Sequence, residues 1–142
     1  MDIMNNCCHH NCIEELQADH EKIMEAVGML KKSLDSFAID KGGIEDFLKF
    51  TEDFAEPHHQ KEEQVLFPAL EKKGIPNEGG PIGTMLLEHD AKRSYIKALR
   101  VALEANNEKE IKENAQNIIS LLTAHISKEN DILYPMAKQV LS

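Results

Sequence analysis

An eleven-residue pattern occurs twice in this chain without a gap. The first copy is His58-His59-Gln60-Lys61-Glu62-Glu63-Gln64-Val65-Leu66-Phe67-Pro68. The second is His125-Ile126-Ser127-Lys128-Glu129-Asn130-Asp131-Ile132-Leu133-Tyr134-Pro135. Both read H-x-x-K-E-x-x-[VI]-L-[FY]-P. An acid–histidine pair precedes each copy, Asp19-His20 and Glu88-His89, with 38 residues from His20 to His58 and 36 from His89 to His125. A duplicated two-helix unit with pseudo-twofold symmetry accounts for this spacing, and it confines the chain to folds that two such hairpins can build.

Hydrophobic periodicity supplies the helices. From about Ile13 to Phe37, residues Leu16, His20, Ile23, Val27, Leu30, Leu34 and Phe37 recur at steps of three and four, the helical period. Asp40-Lys41-Gly42-Gly43 then punctuates the chain, because paired glycines rarely sit inside a helix. A second stretch, Ile44 to about Lys72, puts Phe47, Thr51, Phe54, His58, Glu62, Val65 and Ala69 in phase. Pro57 should kink it or leave a backbone carbonyl free, while Pro68 falls near enough to the end to matter less. The segment Lys73–Gly80 is a break, and Pro81 suits a first helical position, where a missing N–H costs nothing. A third stretch carries Ile82, Met85, His89, Ile96, Leu99 and Leu103, ending at Asn106-Asn107. The fourth, about Glu108 to Val140, carries Ile111, Ala115, Ile118, Leu122, His125, Glu129, Ile132, Met136 and Val140. Short connections between long neighbours predict an all-α, antiparallel, up-down-up-down four-helix bundle over residues 13–142. Residues 1–12 are expected to form a short, flexible segment containing cysteine and histidine.

Six polar residues fall on faces that are otherwise apolar: His20, His58, Glu62, His89, His125 and Glu129. Counted along the helices at ~1.5 Å per residue, all six reach one layer, nearer one end of the bundle. Histidine and glutamate four apart stack on one helical face. A carboxylate directed into a core is costly unless a cation or hydrogen bonds compensate it. Two such pairs facing each other suit two cations bridged by the carboxylates. Imidazole with carboxylate is typical of non-haem iron, whereas structural zinc favours a closed tetrahedral set, usually with cysteine. A ferritin-like site would need lone glutamates and Glu-x-x-His pairs. Here the lone residues are histidines and the paired motif is His-x-x-x-Glu.

The order His20, His58-x-x-x-Glu62, His89, His125-x-x-x-Glu129, with Leu-Phe-Pro and Leu-Tyr-Pro after the paired motifs, resembles the hemerythrin-like (HHE cation-binding) proteins. The resemblance runs from about Ile13 to Val140. It implies an oxo- or hydroxo-bridged centre of two iron ions, with Glu62 and Glu129 bridging and zinc or manganese as possible substitutes. Members of that family bind or sense oxygen, handle nitric oxide, react with peroxide or repair iron–sulfur clusters. Oxygen carriers among them use five histidines, two of them four apart on the third helix. The corresponding positions around His89 are Met85 and Arg93, neither of them a suitable ligand. Four imidazoles, two bridging carboxylates and a bridging oxygen fill ten of the twelve positions of two octahedral ions, leaving two for water, a small ligand or another side chain. Two open positions favour onward redox chemistry over simple oxygen carriage.

Other residues have plainer readings. His59 also has a glutamate four residues on, Glu63, and offers itself as a group supporting the ligands or as an alternative ligand, but the distance to the proline selects His58 as the ligand. Cys7-Cys8-His9-His10-Asn11-Cys12 has a metal-binding composition, and adventitious binding at a frayed terminus explains it more simply. Lys61 and Lys128 read as solvated helix flanks. Tyr95 and Tyr134 have possible redox or hydrogen-bonding roles, but Tyr134 matches Phe67 in the repeat, so packing is the simpler account. Met85 reads as core.

The formal net charge of −9 and the absence of a dense basic patch disfavour nucleic acid and anionic membrane as partners. No apolar run is long enough to span a bilayer, and the N-terminus lacks the parts of a signal peptide. All three cysteines lie between Cys7 and Cys12, so no disulfide ties that end to the body, and a cytoplasmic setting follows. The expected partner is O2, NO or peroxide, bound for storage, sensing or delivery. The alternative is redox turnover at the same centre.

Overall fold

The structure, a computed structural model, describes residues 10–141. Helix α1 spans His10–Asp35. The second rod, residues 41–72, comprises α2 (Lys41–Phe50), a wide π turn at Thr51–Ala55, α3 (Glu56–Lys61), a second π turn at Glu62–Leu66 and α4 (Phe67–Lys72). Helix α5, Gly80–Glu104, is the third rod. The fourth, residues 108–141, joins α6 (Glu108–Lys128), a π turn at Glu129–Leu133 and α7 (Tyr134–Leu141). There is no strand among the described residues.

Contacts between the rods establish their directions. Along α1, Glu15, Asp19 and Lys22 meet Lys61, His58 and Phe54 in turn, so the second rod runs antiparallel to the first. Glu63, Glu56 and Glu52 meet His89, Arg93 and Arg100, which makes the third antiparallel to the second. Gln17 and His20 meet Lys138 and Asn130, so the fourth is antiparallel to the first. This is the antiparallel four-helix bundle.

The ends depart locally from the sequence expectation. Helix α1 begins at His10, three residues before Ile13, and buries Cys12. Cys7 and Cys8 lie outside the described residues. Gly42 and Gly43 sit in the first turn of α2 instead of breaking the chain. Asp40 caps that turn by accepting a hydrogen bond from the Gly43 N–H, and a Cβ on Gly43 would collide with Ser33 Oγ. Phe37 is fully exposed at 109% because α1 ends at Asp35, short of the expected in-phase position.

Each π turn lies just ahead of a proline. The N–H groups of Glu56, Phe67 and Tyr134 bond to carbonyls five residues back, at Thr51, Glu62 and Glu129. Pro57, Pro68 and Pro135 therefore each enter as the second residue of a fresh α segment, where the ring does not crowd the preceding turn. Pro68 behaves as Pro57 does, contrary to the milder role expected of it. A π turn carries one extra residue and so rotates everything after it. Beyond Glu129 the buried face becomes Leu133, Tyr134, Ala137 and Leu141, and Ile132, expected inside, is 58% exposed.

Two apolar clusters result. One contains Ile23, Val27, Leu30, Ile44, Leu99, Ala115 and Leu122, among others. The smaller contains Ile13, Leu16, Leu66, Phe67, Ile82, Met85 and Leu133. In every rod the polar residues of the repeat fall between the two. No helix among the described residues is long and apolar enough to cross a membrane.

Candidate metal centre

All six residues singled out by the repeat are buried and converge in the layer between the two clusters. The carboxylates of Glu62 and Glu129 are fully enclosed, at 0% exposure. Each reaches toward two histidines on different rods. Glu62 Oε1 lies 3.1 Å from His89 Nε2, and its Oε2 lies 3.8 Å from His58 Nε2. Glu129 Oε1 lies 2.9 Å from His20 Nε2, and its Oε2 lies 3.2 Å from His125 Nε2. Ligand atoms of His20, His58, Glu62 and Glu129 fall within 4.8 Å of one another, and so do those of His59, Glu62, His89 and His125. Two adjacent groups that could each hold a cation therefore share Glu62.

The outward nitrogen of each of the four histidines is tied down, and the ties repeat the internal symmetry. His58 Nδ1 donates to Asp19 (3.0 Å) and His125 Nδ1 donates to Glu88 (2.8 Å). The acids preceding His20 and His89 thus orient the histidines of the neighbouring rod. His89 Nδ1 donates to Glu63 (2.6 Å) and His20 Nδ1 to Asn130 (2.9 Å), the residues just after the two glutamates. A hydrogen bond at Nδ1 fixes the tautomer and turns the Nε2 lone pair inward, as in metal-bound histidines generally.

Among the described residues, the buried side-chain atoms without a hydrogen-bond partner are His58 Nε2, Glu62 Oε1, His89 Nε2, His125 Nε2 and Glu129 Oε2. Every one belongs to this set, and each such atom costs about 1–3 kcal/mol if nothing binds it. Cations shared by the six residues would satisfy all five atoms. The buried groups shift in different directions. Burial, and then the neighbouring His125, holds the His89 pKa down at about 2. Burial also lowers His58, only partly offset by Asp19. For His125, hydrogen bonding and charge from Glu129 overcome the downward pull of burial and raise the pKa. Burial, then the adjacent Glu129, pushes Glu62 well above the usual carboxylate range, so the metal-free pair resists carrying two negative charges.

The structure brings to the centre residues for which the sequence favoured a plainer reading or none. Tyr134 is not packing alone: its hydroxyl donates to Glu62 Oε2 at 2.5 Å and lies 3.3 Å from both His20 Nε2 and Glu129 Oε1. Its ring stacks on His20 as that of Phe67 stacks on His89, so the repeat holds in the ring and breaks at the hydroxyl. His59, which the proline distance argued against, is buried in the cluster with its ring centroid 4.2 Å from that of His89. Lys92, unremarked in the sequence, is 1% exposed and donates to Glu56 Oε1 (2.7 Å) and His59 Nδ1 (3.0 Å). Its position three residues after His89 was the one signal that pointed to it. Met85 is core as expected. Lys61 pairs with Glu15, while Lys128 pairs with Glu88 and so braces the acid that orients His125. Tyr95 packs against the larger apolar cluster.

Comparison with known proteins agrees with this geometry. The chain is 29% identical over 126 residues to the iron-sulfur cluster repair protein YtfE of Escherichia coli O81 (strain ED1a), covering 82% of this chain and 56% of that protein. The YtfE of Escherichia fergusonii is 28% identical over the same length and coverage. The chain thus spans little more than half the length of these relatives. No solved structure matches it at a significant level. The hemerythrin HHE cation binding domain family matches residues 11–137, nearly the whole chain, and the chain belongs to that family.

Proposed function

We propose that the chain is a non-haem di-iron protein whose carboxylate-bridged centre binds a diatomic or peroxide ligand (O2, NO or H2O2) for sensing, storage or delivery. His20, His58, His89 and His125 would hold the two ions as terminal ligands, with Glu62 and Glu129 as the carboxylates shared between them. The observation that carries this reading is the pair of buried carboxylates, each with one oxygen toward a histidine of either half. Iron held there supplies redox-active, electrophilic positions open to a small ligand, and zinc or manganese would occupy the same donors without that chemistry. The protein's own part is to aim four imidazoles, through Asp19, Glu63, Glu88 and Asn130, and to exclude bulk water with the two flanking apolar clusters. A reducing cytoplasm is the compartment proposed for it.

Metal analysis of protein purified anaerobically without a histidine tag should give about two irons per chain. Mixing the reduced protein with O2 or NO should then produce a new absorption band within the mixing experiment. A chain that takes up no iron on reconstitution would defeat the proposal. A second reading, redox turnover of nitric oxide or peroxide or the repair of iron–sulfur clusters, is favoured by the relatives that carry the repair name. Consumption assays with a reductant separate the two: turnover that vanishes in Glu62→Ala and Glu129→Ala supports the enzyme, and stoichiometric binding alone supports the binder.

A further inference from the structure

The geometry points to His59 as a hydrogen-bond donor to the small ligand held at the centre, with Lys92 fixing its ring in that role. This rests on the di-iron reading above and adds to it which side chain meets the ligand. The starting observation is a break in symmetry. In the repeat, His59 corresponds to Ile126, and Lys92, three residues after His89, corresponds to Ile23, three after His20. Ile23 and Ile126 are part of the larger apolar cluster. The second and third rods therefore carry a buried histidine and a buried lysine where the first and fourth carry two buried isoleucines.

The direction of the hydrogen bond at Nδ1 separates His59 from the other four histidines. Theirs face oxygen acceptors, namely Asp19, Glu63, Glu88 and Asn130, so they carry hydrogen on Nδ1 and a lone pair on Nε2. His59 Nδ1 faces the Lys92 ammonium at 3.0 Å, which is itself anchored by Glu56 at 2.7 Å. An ammonium has three donors and no acceptor, so Nδ1 must accept, and the ring hydrogen sits on Nε2. With Nδ1 committed to Lys92, Nε2 is the nitrogen left to face Glu62, His89 and His125. A protonated Nε2 has no lone pair for a cation but offers a hydrogen to an oxygen or nitrogen atom of a bound ligand. His59 would join the metal ligands only if Lys92 lost its proton; burial pulls the Lys92 pKa down, and the hydrogen bond and charge of Glu56 oppose that. Glu56 is held in turn by Arg93 beside a cleft of about 160 Å³ that Lys92 also lines. A polar file thus runs from that cleft to one side of the centre, the side of His89 and His125.

Two measurements test this. In zinc-loaded protein labelled with ¹⁵N-histidine, nitrogen–proton correlations should show His59 with hydrogen on Nε2 and a bare Nδ1. The same spectrum should show His20, His58, His89 and His125 with hydrogen on Nδ1 and metallated Nε2. Lys92→Met should release His59 into a mixture of tautomers. In iron-loaded protein, His59→Leu should keep two metals per chain and weaken azide binding about threefold to tenfold, the worth of one hydrogen bond. It should also abolish the shift of the azide stretch on solvent deuteration, and His59→Gln, which retains an N–H, should recover part of both effects. Loss of one metal per chain in His59→Leu would make His59 a ligand and overturn the inference. Unchanged azide affinity with an unchanged deuterium shift would overturn it as well. Absence of metal from the wild-type chain would end the di-iron reading itself, and that result appears in the metal analysis before any azide is added.

Discussion

A single hydrogen bond at the back of each imidazole decides what that imidazole is for. Asp19, Glu88, Glu63 and Asn130 take the Nδ1 hydrogens of four histidines and leave Nε2 free for a cation. Such outer partners are worth about 10–100-fold in metal affinity. Asp19→Ala and Glu88→Ala should therefore each weaken zinc binding by about that factor in a chelator competition, while the helical circular dichroism stays unchanged. The effects should be similar because the two acids are related by the internal symmetry. Tyr134 is a different case. In the metal-free chain its hydroxyl donates to a buried carboxylate, so Tyr134→Phe should lower urea stability by about 1.5–3 kcal/mol. Metal content should be unaltered, because Phe67 fills the equivalent place in the other half. The six candidate residues were legible in the sequence because a histidine–glutamate pair at fixed spacing, repeated on apolar faces, is costly to bury without compensation, and the structure brings all six into one buried layer. His59, Lys92 and Tyr134 were not, because no motif encodes which nitrogen a lysine will face or which way a phenol will point.

At the level of elements, the bundle and its four rods followed from the 3.6-residue period, with end positions shifted by a few residues. The three π turns did not follow, since a periodic template has no place for one extra residue. The last of them explains the errors in the predicted core of the fourth rod. Upstream of Glu129 every in-phase residue is buried; downstream the face slips by one, so Leu133 at 1% exposure replaces Ile132 at 58%. That slip also carries the Tyr134 hydroxyl to Glu62, since without it the residue would lie to one side of the buried stripe. Substitution separates the two registers. Ile132→Gln should change stability by less than about 0.5 kcal/mol, as a surface change does. Leu133→Ala should cost about 2–5 kcal/mol. Urea denaturation of the two variants decides it, and equal effects would mean that the helix continues past Glu129 without the π turn.

For the molecule as a whole, the metal layer divides one apolar interior into two, so the bundle is held together at its middle by groups that disfavour folding unless a cation is bound. Two carboxylates at 0% exposure and three imidazole nitrogens without partners lie where helix faces elsewhere carry Leu, Ile and Val. Folding and metal binding are then linked. A cation that binds only the folded chain stabilises it by RT ln(1 + [M]/Kd), about 4 kcal/mol when free metal is a thousand times Kd. The metal-free chain should still fold, since both apolar clusters are continuous across all four rods and the Tyr134 hydroxyl and His20 compensate part of the carboxylate burial. Removing metal with a strong chelator should therefore lower the midpoint of thermal unfolding by roughly ten degrees or more, at the ~2–8 °C per kcal/mol typical of domains in this size range, without abolishing cooperative unfolding. The double variant Glu62→Leu, Glu129→Leu should reverse the dependence. It removes the buried charges together with the bridging ligands, and replacing buried ionic groups by apolar ones of similar volume is often neutral or stabilising. Its midpoint should match or exceed that of the metal-free wild type and no longer respond to chelator or to added metal. A double variant that still gains stability from zinc would locate the cation elsewhere than between these two carboxylates.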